Sequence, residues 1–336
     1  MSDAADPDSG FWRGKRVLVT GGNGFIGSHL VERLLGAGAS VTSSASSEAT
    51  SLRFLGHVKD DVRFAVGDLR DPGHCMRILE GQDQLMHLAA RVGGIEYNIA
   101  HPASIFRENM HVFLNCMEAA RAAGTPVLVT SSACVYPRHC SIPTPEVEGF
   151  EDRPEPTNEG YGWAKRMEEF LGEAYAREFG MHVRIARPYN AYGPRDNFDP
   201  GSSHVIPAII RRVFESEEQL VVWGDGRTSR SFLFVEDFVR GLMVVAERSP
   251  QIEAINIGAD EETSIGELAE TLVELSGRDL EIVYDTEQPA GQPRRHCDTR
   301  LSEELLGYRA RVSLREGLAK TISWFLESPW AEGLRR

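Results

Sequence analysis

The stretch Arg16-Val-Leu-Val-Thr-Gly-Gly-Asn-Gly-Phe-Ile-Gly-Ser-His-Leu30 decides the fold of this chain. Its apolar run ends at Thr20 and predicts a buried strand, and the apolar spacing after the glycines predicts a helix. Gly21 permits a tight turn, Gly24 lets a pyrophosphate approach the backbone, and Gly27 lets helix and strand pack closely. A plain turn is the alternative. We expect this loop and the helix N-terminus to bind a dinucleotide through Gly21, Gly24, Phe25, Ile26 and Gly27.

The rest of the chain alternates predicted strands with predicted helices. Strands are predicted at 16–20, 41–42, 62–66, 84–90, 127–130 and 183–187, and long helices at 106–123 and 161–179. This rhythm indicates an α/β fold, a Rossmann doubly wound parallel sheet with a smaller C-terminal α/β domain. The nucleotide-binding domain is predicted at 14–187 plus about 231–258, and the second domain at 188–230 and 259–330. Residues 1–13 are expected to be a loose tail and residues 289–295 a loop.

The end of the second strand bears on the choice of cofactor. The position that holds an Asp in many NAD-binding sheets aligns with Ala45, inside the run Ser43-Ser-Ala-Ser-Ser47. No acid there would repel a 2′-phosphate, and the hydroxyls offer donors to one, which favours NADP. Glu48 follows closely and keeps NAD possible.

Two further strand ends supply candidate cofactor contacts. The third strand leads into Gly67-Asp-Leu69, where Asp68 is a candidate acceptor for an adenine amino group or, alternatively, a helix cap. Leu69 is expected beside it. The fourth strand ends in small residues, including Ala89, which would let a cofactor lie across it. Asn109, in the helix that follows, is either a residue near the active site or an exposed helix residue.

A tyrosine and a lysine share one face of the helix that begins at Tyr161. Lys165 follows by four positions, one helical turn away, and Ser132 ends the fifth strand. An ammonium beside a phenol is expected to lower the pKa of Tyr161 from about 10 toward neutrality. Together the three residues predict a proton-transfer site that acts on a substrate oxygen. A surface ion pair is the simpler alternative, but the glycine loop upstream argues against it.

Composition excludes several classes of protein. Among 336 residues, 50 are acidic and 36 are Lys or Arg, for a formal net charge of −14. Such a chain is a poor partner for nucleic acid or an anionic membrane. Its five cysteines are scattered and form no CxxC, so neither a disulfide framework nor a metal site is predicted. No apolar run is long enough for a membrane span. A soluble cytoplasmic protein with a small-molecule ligand is the expectation.

Arginines gather in the loops of the second half and suggest a clamp for a diphosphate. We favour Arg230 and Arg294 for this role. The full set of candidates is Arg187, Arg195, Arg212, Arg230, Arg294 and Arg295.

Six further motifs follow along the chain: ARVGGI at 90–95, SACVYP at 132–137, EPTNEGY at 155–161, GPRDNFDPGSSHVIP at 193–207, VWGDG at 222–226 and GQPRR at 291–295. On these motifs, and from about Arg16 to Ser328, the chain resembles the extended short-chain dehydrogenases/reductases of the nucleotide-sugar epimerase type. Within that family it is most similar to enzymes that epimerise and reduce GDP-4-keto-6-deoxyhexoses.

The resemblance implies roles for individual residues. Ser132, Tyr161 and Lys165 would serve hydride transfer, with Lys165 also contacting the cofactor. Cys134 and His204 would be the base and the acid, respectively, of a C3/C5 epimerisation, since a C4 ketone acidifies the neighbouring C–H groups. The residues implied to contact a nucleotide-sugar are Asn190, His204, Arg212, Trp223, Arg230 and Arg294.

Three functional readings remain open at this stage. The first is an NADPH-dependent 3,5-epimerase/4-reductase. The second is a redox-neutral epimerase that holds NAD and oxidises C4 transiently. The third is a nucleotide-binding sensor without catalysis, which the presence of Ser132, Tyr161 and Lys165 argues against. The resemblance also implies a homodimer that pairs through the helices at 106–123 and 161–179.

Overall fold

The computed structural model describes residues 6–287 and 292–332, and its centre is a parallel sheet of seven strands. The sheet strands are β1 (Arg16–Thr20), β2 (Ser40–Ala45), β3 (Val62–Val66), β4 (Gln84–His87), β5 (Val127–Thr130), β6 (Val183–Pro188) and β11 (Ala254–Ile257). Their order is β11-β6-β5-β4-β1-β2-β3. The order reverses between β1 and β4, and the crevice at such a switch point is where doubly wound sheets bind ligands. The predicted fold class is confirmed.

Helices cover both faces of this sheet. The helices are α1 (Ser9–Trp12), α2 (Phe25–Gly36), α3 (Glu48–Ser51), α4 (Pro72–Leu79), α5 (Ile95–Ala100), α6 (Pro102–Ala123), α7 (Glu159–Phe179), α8 (Val205–Glu215), α9 (Val235–Arg248), α10 (Ile265–Ser276), α11 (Arg300–Leu306) and α12 (Leu314–Glu327). Within β1, Val17 and Val19 join the core shared with α2 and α9, whereas Leu18 joins the core shared with α4, α6 and α7. Strands buried on both faces explain the uninterrupted apolar runs of the sequence.

A smaller region packs at the carboxyl edge of the sheet around a second core. Its strands are β7 (Ala191–Tyr192), β8 (Gln219–Trp223), β9 (Ser229–Ser231), β10 (Leu233–Phe234), β12 (Glu262–Ser264), β13 (Glu281–Asp285) and β14 (Arg294–Arg295). They form small sheets, β12-β9-β14, β13-β8 and β10-β7. The apolar faces of α8, α10 and α12 close the core against them. The predicted domain boundaries stay a prediction.

Two sequence expectations about irregular segments are wrong. Residues 1–5 of the predicted loose tail lie outside the described residues, but the remainder of the tail contains α1, whose Trp12 is completely buried. Burial of so large an apolar side chain fixes the segment. The predicted loop 289–295 begins outside the described residues and ends in β14, which pairs with β9. No helix in the described ranges is long and apolar enough to cross a bilayer.

Candidate active site

The glycine loop forms a cradle between β1 and α2. Gly21 has a left-handed backbone with φ of 68°, which favours glycine, and its carbonyl accepts a 3.0 Å hydrogen bond from the Gly24 amide. A Cβ at Gly27 would lie 2.1 Å from the Gly21 oxygen. Gly24 caps α2 without a side chain, so the first amides of the helix, at Phe25 and Ile26, remain available to a ligand. This geometry fits the pyrophosphate of a dinucleotide.

The end of β4 is tied to the glycine loop. Thr20 Oγ1 accepts hydrogen bonds from the amides of Leu88 and Ala89, at 3.0 and 3.1 Å. A Cβ at Gly21 would meet the backbone of Ala89 at 3.2 Å. The strand end predicted to run beside the cofactor therefore lies against the phosphate cradle. β4 itself ends at His87, earlier than predicted.

The serines at the end of β2 divide into two pairs. Ser43 and Ser44 are buried, and the Ser44 hydroxyl accepts a 3.2 Å hydrogen bond from the Gly21 amide. Both side chains therefore lie against the glycine loop and away from solvent. Ser46 is exposed, and Ser47 caps α3. The set of hydroxyls that can meet a 2′-phosphate is therefore smaller than the sequence suggested.

Asp68 and Leu69 lie beyond the end of β3. Asp68 accepts bidentate hydrogen bonds from Arg70, at 3.0 and 2.6 Å, and these hold the pKa of Asp68 below its usual range. The alternative role of Asp68 as a helix cap is wrong, because Asp71 caps α4. The Leu69 carbonyl is fixed by a 3.1 Å hydrogen bond from Asn115. Asp68 is left at the surface as a candidate adenine contact.

Ser132, Tyr161 and Lys165 come together beyond the end of β5. Ser132 Oγ accepts a 3.2 Å hydrogen bond from the Cys134 amide and caps the short turn Ala133–Val135. Lys165 Nζ lies 5.6 Å from the centre of the Tyr161 ring and donates to the Thr130 carbonyl at 3.0 Å. The structure thus brings together the three residues that the sequence placed on separate elements.

The predicted lowering of the Tyr161 pKa is wrong. Burial raises the pKa of Tyr161 to about 12, and the charge on Lys165 offsets only part of that effect. The positive charge of Lys165 is offset by the Glu168 carboxylate, which lies 2.8 Å from Nζ. Burial alone would lower the pKa of Lys165, but the charges on Glu168 and Tyr161 raise it. The phenol is therefore a retained proton donor at neutral pH, not a phenolate.

Cys134 meets a residue that the sequence analysis did not favour. Arg295 Nη1 lies 3.9 Å from Cys134 Sγ. The guanidinium is held by Gln292 Oε1, which accepts from Nε at 3.2 Å and from Nη2 at 3.1 Å. Gln292 is buried and donates to the Arg138 carbonyl at 3.1 Å. A guanidinium therefore lies beside the sulfur, and its hydrogen bonds to Gln292 fix its position.

The structure separates the two arginines at the end of the GQPRR motif. Arg294 forms a bidentate pair with Glu262, at 2.8 and 2.6 Å. Arg295 instead lies opposite Arg230 in the β14–β9 ladder, and its charge contributes to the lowering of the Arg230 pKa to about 10, which is mainly due to burial. No described carboxylate forms a salt bridge with Arg230 or Arg295. Two neighbouring cations without a carboxylate partner are suited to bind a dianion.

Trp223 and Arg212 form a second candidate contact surface. The Trp223 ring is 48% exposed, and Arg212 Cζ lies 5.5 Å from its centre. A 3.3 Å hydrogen bond to the Ala208 carbonyl and a 2.8 Å hydrogen bond to the Val221 carbonyl hold the guanidinium in place. An exposed indole beside a fixed cation is a suitable platform for a planar base.

His204 and Asn190 have different surroundings. His204 is the N-cap residue of α8; its ring reaches solvent, yet enough protein surrounds it that desolvation lowers its pKa. No hydrogen bond joins it to Cys134 in the described part of the chain, so its role opposite Cys134 stays a prediction. The Asn190 side chain donates to the Ser231 carbonyl at 2.8 Å, which ties the segment after β6 to β9.

Other candidates prove to be structural. Asn109 is 2% exposed and exchanges hydrogen bonds with the backbone of Arg91, so its reading as an exposed helix residue is wrong. Arg187 is buried in a bidentate pair with Glu169 at 2.8 and 2.7 Å. Arg195 pairs with Glu32 at 2.7 Å. These arginines support the walls of the site.

Taken together, a doubly wound sheet, a glycine cradle at its switch point and an adjoining Ser-Tyr-Lys group define a nicotinamide-nucleotide enzyme of the short-chain dehydrogenase/reductase class. The model of the NAD dependent epimerase/dehydratase family matches residues 17–258, and the chain belongs to this family.

Individual relatives are similar over nearly the whole chain. The GDP-L-fucose synthase of Escherichia coli K12 is 35% identical, with 94% of this chain and 97% of that protein covered. A GDP-mannose 3,5-epimerase of Oryza sativa is 31% identical, with coverages of 93% and 82%.

Solved structures agree on the fold. The UDP-glucose 4-epimerase of Thermotoga maritima superposes with a TM-score of 0.83 at 30% identity, covering 93% of this chain and 99% of that one. A GDP-L-fucose synthetase from Naegleria fowleri bound to NADP gives 0.78 at 26% identity, with 93% of both chains covered.

Proposed function

We propose that this protein is a 3,5-epimerase/4-reductase that acts on a GDP-4-keto-6-deoxyhexose with NADPH. The observation that carries the proposal is the Cys134 thiol, which lies beside Tyr161 and within 3.9 Å of Arg295. Chemistry at C4 alone needs the tyrosine but no thiol. A cysteine held next to a cation suits removal of the acidic protons on C3 and C5 of a 4-ketosugar. The similarity to a GDP-L-fucose synthase supports the same substrate class.

The epimerisation uses groups on opposite sides of the sugar. Cys134, as thiolate, takes the proton from a carbon next to the ketone, and the electron pair moves onto the C4 oxygen. Tyr161 and Ser132 hydrogen-bond that oxygen and stabilise the enolate. His204, as acid, returns a proton to the other face of the same carbon, which inverts it. The sequence of steps leaves the ketone intact and ready for reduction.

The reduction relies on the proton that Tyr161 retains. NADPH would supply the hydride that reaches C4. As the oxygen becomes an alkoxide, the Tyr161 phenol transfers its proton to it, and the Lys165 ammonium lies beside the phenolate that remains. The residues proposed to hold the cofactor are Gly21, Gly24, Phe25, Ile26, Gly27, Asp68, Leu69, Ala89 and Lys165.

The nucleotide-sugar is proposed to bind across the small sheet β12-β9-β14. Arg230 and Arg295 supply adjacent positive charges for the diphosphate. Trp223 offers an exposed ring for the base, with Arg212 beside it. Asn190 and Arg294 complete the proposed set; Arg294 would have to exchange its pair with Glu262 for a contact to substrate. The division into a nucleotide-binding and a substrate-binding domain is part of this proposal.

The choice of NADP rests on what surrounds the end of β2. Ala45 occupies the position of the usual ribose-binding acid, and Ser46 and Ser47 lie next to it. The relative from Naegleria fowleri was solved with NADP. Glu48 begins α3 nearby, and its carboxylate favours the competing cofactor, NAD.

A redox-neutral epimerase that retains NAD is the second candidate. It is favoured by Glu48 and by the similarity to a GDP-mannose 3,5-epimerase. Mass spectrometry of the small molecules released on denaturation separates the two candidates. Retained NAD(H), with isomerised product and no coenzyme consumed, would replace the first proposal by the second.

The direct test is NADPH oxidation in the presence of GDP-4-keto-6-deoxymannose. We expect steady loss of NADPH absorbance and a doubly epimerised, reduced sugar. Folded protein that binds NADPH but neither consumes it nor exchanges substrate protons would overturn the proposal.

We also propose a homodimer in the cytoplasm. The outer faces of α6 and α7 expose large apolar side chains, which points to a partner surface. All five cysteines lie in described residues and are free thiols, as is usual in a reducing compartment.

A further inference from the structure

Lys165 is held by an acid that the usual proton-transfer set does not include. Of the three hydrogens on its ammonium, one bonds the Thr130 carbonyl at 3.0 Å and one bonds Glu168 Oε2 at 2.8 Å. Glu168 stands three residues after Lys165, on the same face of α7. The Glu168 carboxylate therefore contacts the same ammonium that faces the Tyr161 ring.

Glu168 occupies an unfavourable place for an acid. Its side chain is 1% exposed, and Oε1 has no hydrogen-bond partner among the described residues. Burial raises the pKa of Glu168 to about 7, even with Lys165 beside it. A buried ion pair of this kind is weak evidence for stability, because desolvation cancels much of the attraction. A functional role therefore explains the buried carboxylate better than a stabilising role does.

We propose that Glu168 is a positioning residue of the proton-transfer set, which fixes the Lys165 ammonium and screens its charge from Tyr161. The proposal deepens the proposed function, since it rests on Tyr161 as the proton donor. While the Glu168 carboxylate offsets the charge of Lys165, the Tyr161 phenol keeps its proton until an alkoxide forms beside it. The proton then moves from the phenol oxygen to the substrate oxygen, and Lys165 stays protonated.

The other titratable groups around this pair do not provide the screen. His87, from β4, is buried and neutral, since burial lowers its pKa to about 3. Cys116, from α6, is a neutral thiol whose pKa is raised. Glu169 lies next along α7, but both of its oxygens bond Arg187.

Cys134 reaches the phenol from the turn after β5, and as a thiolate it would raise the Tyr161 pKa rather than transmit the charge of Lys165. Among the groups that face Lys165, Glu168 is thus the one carboxylate in the described chain within direct bonding distance.

The test is NMR titration of the phenols in the full-length protein, prepared with tyrosine that carries ¹³C at its ζ carbon and with matched cofactor content in every sample. Comparison with Tyr161→Phe assigns the signal. In the unchanged protein we expect no titration of Tyr161 below about pH 11. The charge of Glu168 contributes to the raised pKa of Tyr161, so its removal in Glu168→Gln should lower the midpoint by about one pH unit or more.

Glu173→Gln is the matched control. Glu173 lies on the same helix, is partly buried and makes no contact with Lys165. It removes the same charge, and the Tyr161 signal should not move. Glu168→Asp keeps the charge and should restore a midpoint above that of Glu168→Gln. Circular dichroism shows whether Glu168→Gln folds, and if it folds poorly, Glu168→Asp is compared with the unchanged protein instead.

A Tyr161 midpoint in folded Glu168→Gln that is unchanged or higher overturns the screening role. Because the titration needs no substrate, it is independent of the proposed reaction. A shifted phenol in a protein that does not oxidise NADPH would retain the screening inference and reject the proposed function.

Discussion

Arg295 reaches Cys134 although the two residues are 161 positions apart in the chain. The contact depends on β14 pairing with β9 in one register, which points successive side chains to opposite sides. Arg294, one position earlier, therefore pairs with Glu262 instead. A neighbouring pair of arginines thus provides both a test residue and its control.

We expect Arg295→Gln to slow alkylation of Cys134 by iodoacetamide several-fold at pH 7.5. The substitution removes the cation that lies beside Sγ and would stabilise the sulfur anion that reacts with iodoacetamide. The modified peptide is quantified by mass spectrometry, because Cys140 is also partly exposed. Arg294→Gln should leave the rate within a factor of two. Equal rates in all three proteins would show that Arg295 does not activate the thiol.

Cys134→Ser should abolish exchange of the C3 and C5 hydrogens with deuterated solvent. Serine retains a hydrogen-bonding group, but its hydroxyl is far too weak an acid to form the needed anion at neutral pH. NADPH binding should be unchanged. Cys140→Ser is the matched control, since that thiol is also partly exposed but bonds Thr144 Oγ1 at 3.3 Å. Deuterium incorporation that persists in Cys134→Ser would disprove the base assignment.

The glycine loop is the element on which cofactor binding depends, and α2 offers a comparison within one helix. A Cβ at Gly27 would lie 2.1 Å from the Gly21 oxygen, whereas one at Gly36 meets nothing within 4 Å. We expect Gly27→Ala to open the loop and weaken NADPH binding by at least tenfold, measured by fluorescence titration. Gly36→Ala should bind normally and gain up to about 1 kcal/mol in free energy of unfolding. Unimpaired binding by Gly27→Ala would contradict the proposed phosphate cradle.

Most elements of the large sheet could be predicted because their signals are local. β1, β3 and β5 have the predicted bounds, since each is an apolar run bounded by polar or turn residues. The signals that failed are tertiary: α1 is fixed by the burial of Trp12, and β14 by a ladder with a distant strand. Short segments of this kind carry no periodicity that a sequence can show.

The positions of the candidate site residues could be predicted from the sequence, but the protonation state of Tyr161 could not. Helical spacing placed Tyr161 beside Lys165, as observed. The direction of the Tyr161 pKa was wrong because burial depends on the whole fold, and because Glu168 offsets Lys165. Glu168 was visible at i+3 in the sequence, so the same spacing argument, extended by one residue, would have found it.

At the scale of the whole molecule, α6 and α7 lie side by side, and each exposes large apolar side chains. These side chains are Phe106 and Leu114 on α6 and Phe170 and Phe179 on α7. In a two-fold dimer each of these side chains would be buried in both copies. A single substitution would therefore change the interface at two places. Burial of one such side chain stabilises by about 2 kcal/mol.

We therefore expect the protein to have twice its chain mass by multi-angle light scattering, and Phe170→Asp to shift it to the monomer at micromolar concentration. A charge in an apolar interface would be buried without a partner in each of the two copies and would also remove apolar contact area. Leu305→Asp is the control, because Leu305 on α11 is 44% exposed, close to the 49% of Phe170, but lies away from this surface. Dissociation by Leu305→Asp with an intact Phe170→Asp dimer would move the interface to α11, and a monomeric unchanged protein would exclude the dimer. Since α7 also carries Tyr161 and Lys165, a loss of activity that accompanies dissociation would show that pairing of the helices helps to hold the proton-transfer group in place.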